Sequence, residues 1–221
     1  MKQGVTVILL SWKRIDNIKQ IIQSFRTQTI KPTIFLWNNN PDIKFTTKKV
    51  DWIVNSNVDM YSFAQWMMIP MVETEYLITM NDDIIPKDNT FIEHALKLIN
   101  EHPTGIVGPF GKRIVPGSSP YNGPEVRTGH ADIVKGRCMC MRTEVLKNVP
   151  LFTDGRVRND DIYISYYAAN GKKDAHWIDW DLRQHTIDLP EGNCGMDKDP
   201  DHMLSRNRYI LELIGNEGKL K

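Results

Sequence analysis

Apolar runs and polar breaks alternate along the chain in a strand–helix rhythm. Residues 5–10 (VTVILL) are continuously apolar and of strand length, the pattern of a strand covered on both faces. After Ser11-Trp12-Lys13-Arg14, the positions Ile15, Ile18, Ile21, Ile22 and Phe25 recur at helical spacing, with Asp16 placed as a cap. Residues 33–37 read as a second strand, stopped by Asn38-Asn39-Asn40-Pro41, and residues 52–54 as a short third. Residues 63–72 look helical but contain Pro70, which ends or kinks a helix. Residues 76–80 are a fourth predicted strand that runs straight into Asn81-Asp82-Asp83. Asp88 then caps a helix whose apolar face is Phe91, Ala95, Leu98 and Ile99, closing near Glu101 before Pro103. Repeated strand–helix units predict an α/β fold: a mostly parallel sheet with helices on both sides.

The second half is less regular. Residues 106–107 form a short predicted strand, and the Gly-, Pro- and Ser-rich stretch 111–130 reads as a long loop, a kind often functional in compact domains. Residues 133–141 read as one strand. Asp160 and Asp161 open a helix through Ala169, with Gly171 as its C-terminal cap. Residues 176–180 are strand-like, and a closing helix spans 203–214, ended by Gly215. No internal repeat, linker or low-complexity tract interrupts the chain, which predicts a single domain over 1–221.

Composition narrows the function classes. With 221 residues, 41% hydrophobic and 25% charged, the chain has apolar material for a real core. A formal net charge of +1 provides no basic field for stable nucleic-acid binding. Lys44, Lys48 and Lys49 read as a solvated loop. The three cysteines, Cys138, Cys140 and Cys194, are an odd number and lack a zinc-ligand pattern, so buried structural thiols are expected. No apolar run approaches the ~20 residues of a membrane span. The first strand begins at Val5, leaving no room for a signal peptide, so a cytoplasmic location is expected.

Candidate chemistry gathers at strand ends. Asn81-Asp82-Asp83 lies just past the carboxyl end of a buried strand, the edge where open parallel sheets bind ligands. Adjacent carboxylates can share a hard divalent cation, and Mg²⁺ or Mn²⁺ is expected where a diphosphate supplies the remaining ligands. Turn formation or helix capping is the competing account of the pair. Trp12 and Arg14 end the first strand; Trp37, Asn38 and Asn39 end the second. Trp12 can stack on a base, Asn38 or Asn39 can bond a uracil-like edge, and Arg14 can neutralise phosphate. Strand-ending turns also account for these residues. Of Asp160 and Asp161, one suits a plain N-cap, Asp160 above all, and the other can face a sugar as a proton acceptor or charge stabiliser. His202 or His185 can reach a metal or diphosphate, though either is also an ordinary surface histidine. His94 and His102 read as inert, and Met67, Met68 and Met71 as core filler.

The co-linear order of these segments resembles exostosin-type glycosyltransferases (glycosyltransferase family 64). Trp12-Lys13-Arg14 followed by Trp37-Asn38-Asn39 is similar to the family's opening. Val72-Glu73-Thr74, then the DXD-like Asn81-Asp82-Asp83, is similar to its Val-Glu-Thr and Asp-Asp-Asp order. Ile106-Val107-Gly108, Lys112-Arg113, Asn159-Asp160-Asp161-Ile162 and residues 206–214 continue the likeness. Asn81 stands in place of the first Asp of the triplet, and Arg158 in place of a polar Asn. The resemblance implies a GT-A fold, a UDP-sugar donor, Mn²⁺ and retention of anomeric configuration. It implies metal ligation by Asp83 with Asp82 beside it, uracil contacts at Asn38 or Asn39, and a catalytic-site Asp161. Residues 1–110 then form the nucleotide-binding half, and 111–221 the half that holds sugar and acceptor.

Three alternatives stand beside this reading. Inverting family 2-type transferases share the architecture. Nucleotidyltransferases share strand-end carboxylates, but they need a glycine-rich loop after the first strand, and Trp12-Lys13-Arg14-Ile15 has none. A silent sugar-nucleotide-binding module is the third.

Overall fold

The computed structural model describes residues 1–150, 158–190, 192 and 199–216. Lys2–Ser11 forms β1, and Ile15–Thr27 forms α1 with Ile18, Ile21, Ile22 and Phe25 buried. Next come β2 (Thr33–Asn38), β3 (Trp52–Asn55) and a 3₁₀ helix, Ser62–Met71. β4 (Thr74–Met80), β5 (Ile84–Pro86), α2 (Phe91–Glu101) and β6 (Ile106–Gly108) follow. The expected loop holds β7 (Gly111–Lys112), a 3₁₀ turn Pro120–Asn122, β8 (Glu125–Val126) and the start of β9 (Gly129–Ala131). β10 (Ile133–Val134), β11 (Cys138–Arg142), a 3₁₀ helix Thr143–Asn148, α3 (Asp160–Ala169), β12 (His176–Ile178), α4 (Trp180–Gln184), β13 (Thr186–Asp188) and α5 (His202–Asn216) complete the described elements.

Among the described residues, eight strands form the main sheet in the order β3-β2-β1-β4-β11-β6-β12-β9. β1, β2, β3 and β4 run parallel, and β11 enters antiparallel between β4 and β6. Alternating side chains of β1 face opposite sides. Val5, Val7 and Leu9 join Ile18, Ile22, Phe25, Phe91 and Ile99 on the side of α1 and α2. Ile8 joins Phe35, Leu77, Trp66, Met139 and Tyr163 on the other. A continuous apolar run such as VTVILL is thus covered on both faces, as the pattern predicts. Each such fully buried Ile, Leu or Phe contributes about 1.5–3 kcal/mol.

Several local expectations change. α5 runs through Gly215 to Asn216, so Gly215 does not end it. The segment with Pro70 is a 3₁₀ helix that ends at Met71. Asp16 and Asp88 are not N-caps: Arg14 and Thr90 hold those positions, and Asp88 accepts from the Thr90 N–H instead. The strand expected over 133–141 is broken at Lys135-Gly136-Arg137, so β10 joins a small three-stranded sheet while β11 joins the main one. The strand expected over 176–180 stops at Ile178, where the Asp179 carboxylate accepts from Leu182 N–H at 3.0 Å and starts α4. Among the described residues, no helix is long and apolar enough to cross a membrane. Cys138 and Cys140 are buried free thiols; Cys194 lies outside the described residues.

Candidate functional site

Parallel pairing decides what meets at the sheet edge. Leu9 is in register with Met80 and Ser11 with Asn38, so the residues after β1, β2 and β4 emerge side by side. They open into a cleft of about 380 Å³ whose walls include Trp12, Arg14, Asn39, Asn81, Asp82 and Asp83. Asp160, Asp161 and His202 line the same cleft from α3 and α5. Most of the expected site residues are therefore brought together.

Within it, Asp82 and Asp83 have different surroundings. Asp82 is fully engaged: Oδ1 accepts from Arg14 Nη1 at 2.6 Å and Oδ2 from the Trp12 backbone N–H at 2.9 Å. Burial pushes its carboxyl upward, against the pull of the Trp12 N–H and the Arg14 charge, which favour the ionised form. Asn17 Nδ2 clamps the loop by donating to the Asp82 carbonyl at 2.9 Å. Asp83 Oδ2 lies 3.3 Å from Arg137 Nε. Asp83 Oδ1 and Asn81 Oδ1 are buried with no hydrogen-bond partner, and buried polar atoms are rarely left so.

Asn39 lines the cleft, but its amide is occupied by the turn beside it. Nδ2 donates to Asp59 Oδ1 at 2.6 Å and to the Tyr61 carbonyl, and Oδ1 accepts from Met60 N–H. That turn carries Tyr61 at φ 54, a costly conformation for a bulky residue. Trp37 and Asn38 are not among the cleft-lining residues. Trp37 packs against the Phe35–Leu77 side of the core, with Nε1 buried and unpaired. Asn38 Nδ2 donates to Asn55 Oδ1 at 2.8 Å and to the Ile43 carbonyl. β2 ends at Asn38, so Trp37 is held in the pleat facing the core, while Asn39 lies past the strand, where strand alternation no longer sets its direction.

At the opposite wall, α3 begins with its N-cap at Asn159, so Asp160 is not the cap. Asp160 accepts from Trp66 Nε1 at 2.7 Å, and its pKa is pushed up to about 6 by burial and then by the Asp161 charge. Asp161 Oδ2 accepts from Arg206 Nη2 at 2.6 Å and from Gly136 N–H at 3.4 Å. The Arg206 guanidinium also covers the Tyr121 ring at 4.2 Å. Burial raises the Tyr121 hydroxyl to about 12, keeping it protonated. The first part of the 155–159 run before α3 lies outside the described residues. His185 is elsewhere, bonded to Asp88 Oδ2 at 2.7 Å and stacked on His94.

Arg137, Arg206, Tyr121 and Asp59 also line the cleft, and sequence reasoning passed over them. Gly136 was the available signal, because a lone glycine in a strand pattern marks a bulge or close backbone approach. A Cβ there would sit 3.4 Å from Asp161 Cβ and 3.7 Å from Asp160 Oδ2.

The glycosyl transferase family 64 domain model matches residues 5–122, more than half of the chain. The chain belongs to this family. It is a glycosyltransferase, and the matched segment carries the Trp12, Asn39 and Asp83 walls of the cleft. No curated protein matches the sequence. Solved structures match at low identity and establish the GT-A fold. One is S. aureus TarS 1-349 in complex with UDP-GlcNAc, with TM-score 0.66, 13% identity and coverage of 97% of this chain and 67% of that one. Another is the mannosyltransferase PcManGT from Pyrobaculum calidifontis in complex with GDP-Man and Mn²⁺, with TM-score 0.56, 14% identity and coverage of 80% and 57%. The family 64 chain thus spans about two thirds or less of the length of these two.

Among the described residues, no group of three or more His, Cys, Asp or Glu side chains forms a metal cage. A cation completed by a diphosphate needs fewer protein ligands. The buried, unpartnered oxygens of Asp83 and Asn81 fit that requirement; the engaged oxygens of Asp82 do not.

Proposed function

We propose that this glycosyltransferase moves a sugar from a UDP-sugar, bound with Mn²⁺ or Mg²⁺, to an acceptor hydroxyl with retention, as the resemblance to exostosin-type enzymes implies. The observation that carries the reading is the pair of buried, unpartnered oxygens, Asp83 Oδ1 and Asn81 Oδ1, belonging to two residues that line the cleft. The nucleotide sugars bound in the two similar structures, and the Mn²⁺ bound in the second, support it. Residues 1–110 supply most of the donor wall, and 111–221 the sugar and acceptor wall.

Asp83, with Asn81, would hold the cation, and His202 stands across the cleft as a further candidate ligand or phosphate contact. A divalent ion there supplies Lewis-acid stabilisation of the leaving diphosphate, worth several kcal/mol. Trp12 offers an indole face to the base. Arg14 acts indirectly: through Asp82 it fixes the loop that presents Asp83. Asn39 shapes the base pocket by holding the 59–61 turn. Asp161, fixed by Arg206, presents a buried negative charge that stabilises cationic character on the anomeric carbon. Both carboxylates are already engaged, Asp161 by Arg206 and Asp160 by Trp66 Nε1, so neither is placed as the acceptor's base. The acceptor proton therefore passes to the departing phosphate, which accords with retention.

A panel of nucleotide sugars tests this by thermal shift with and without Mn²⁺, followed by nucleoside diphosphate release and NMR of the product anomer. Metal-dependent stabilisation by a UDP-hexose or UDP-N-acetylhexosamine, with release of UDP, is expected. Stabilisation by none of the panel, or pyrophosphate release from a nucleoside triphosphate, would overturn the proposal; an inverted product would overturn retention alone.

A further inference from the structure

Arg137 is the last residue of the turn that breaks the expected long strand, immediately before β11. It lies between two carboxylates. Nε is 3.3 Å from Asp83 Oδ2, and Nη2 is 2.7 Å from Asp188 Oδ1 and 3.2 Å from the Asp83 carbonyl. Asp188 is held in turn by Arg183 Nη2 at 2.5 Å, and both guanidiniums cover the Phe110 ring. The chain Asp83–Arg137–Asp188–Arg183 alternates in sign, and Asp82 has its own cation in Arg14. Three carboxylates thus face three guanidiniums, and the loop meant to receive a metal ion has no surplus negative charge.

Arg137 Nε is near Asp83 but poorly aligned, and makes no hydrogen bond. The contact neutralises Asp83 without occupying Oδ1, the oxygen a cation needs. A bare divalent ion would approach Oδ1 against a guanidinium a few ångströms away; in a partly buried setting such repulsion amounts to several kcal/mol at most. A nucleoside diphosphate reverses the balance, because its negative charge is attracted by both the ion and the arginines. We infer that Arg137 is a positioning residue and resident counter-ion for Asp83, which suppresses binding of a free divalent cation and couples metal binding to arrival of the nucleoside diphosphate. This rests on Asp83 being the metal ligand.

The test is calorimetry of Mn²⁺ alone, and of Mn²⁺ with UDP or GDP, on the intact chain and on Arg137→Met, which keeps the stem and removes the charge. Wild type should bind bare Mn²⁺ weakly and the Mn²⁺–diphosphate pair far more tightly. In Arg137→Met, affinity for bare Mn²⁺ should rise about tenfold, while the enhancement by UDP falls by about tenfold or more, a change of roughly 1.4 kcal/mol in each direction. Arg137→Lys should restore most of the wild-type coupling, and a merely structural role predicts no such opposite changes. Should the Met variant fail to fold, Asp188→Asn leaves Arg137 and Arg183 in cationic surplus beside Asp83 and should shift both quantities in the opposite senses, weaker binding of bare Mn²⁺ and a larger enhancement by UDP. Unchanged or uniformly weakened affinities in a folded variant overturn the inference, as does absence of Mn²⁺ binding in every variant. If wild type ignores UDP and GDP but Arg137→Met gains bare Mn²⁺ affinity, the donor assignment fails and the counter-ion role stands.

Discussion

Arg206 Nη2 lies 2.6 Å from Asp161 Oδ2 at the cleft wall, and the two side chains are only 4% and 8% exposed. This pair joins α5 to α3 across the part of the cleft assigned to the sugar. Removing one partner of such a buried pair leaves a desolvated charge, at a cost of about 3–5 kcal/mol. Asp161→Asn should therefore lose both stability and rate, the rate by roughly 10²-fold or more. Asp161→Asn/Arg206→Met should regain stability in urea unfolding while remaining slow. A folded Asp161→Asn enzyme with wild-type turnover would remove Asp161 from the mechanism.

Asp83 and Asp82 should separate cleanly. Asp83→Ala is expected to abolish metal-dependent stabilisation by UDP with little change in the melting temperature of the free protein. Asp82→Ala should weaken the free protein more, because it removes the buried carboxylate that pairs with Arg14 and releases the Trp12 N–H. Paired melting curves with and without Mn²⁺–UDP distinguish these, and equal effects from both variants would refute the division of labour.

Asn39→Ala tests whether the residue contacts the base or shapes its pocket. Losing the amide removes bonds to Asp59, Met60 and Tyr61, at about 1 kcal/mol each. The expected result is a stability loss of about 2–3 kcal/mol together with weaker UDP binding. Unchanged stability with lost UDP binding would instead identify a direct base contact.

Asp160 gives a pH signature. Its folded pKa of about 6 lies above the ordinary 3.8, so between those values the folded chain holds a proton that the unfolded chain has released. Stability from this group is therefore fully present below about pH 4 and is lost as pH rises through about 6. Asp160→Asn should remove that contribution: the stability difference between variant and wild type should grow in the variant's favour by on the order of 3 kcal/mol across the window. A flat difference, read from urea midpoints, contradicts the raised pKa.

The strand–helix rhythm of the first half was determined by sequence alone, because burial on both faces of β1 requires a continuous apolar run and the flanking helices require apolar residues at helical spacing. The position of Asn81-Asp82-Asp83 at a ligand-binding edge followed from the same local pattern. What each residue does there was decided only by tertiary structure. Asp82 and Asp83 are adjacent in sequence, yet one is consumed by Arg14 and Trp12, brought near by parallel pairing of β1 with β4. Trp37 and Asn39 belong to one motif, but one joins the core and the other braces a turn. Arg137 and Arg206 drew no role from the sequence, since carboxylates they meet in the cleft lie 54 and 45 positions away along the chain. Local pattern records which faces must be buried; which charges meet depends on contacts that only the folded chain makes.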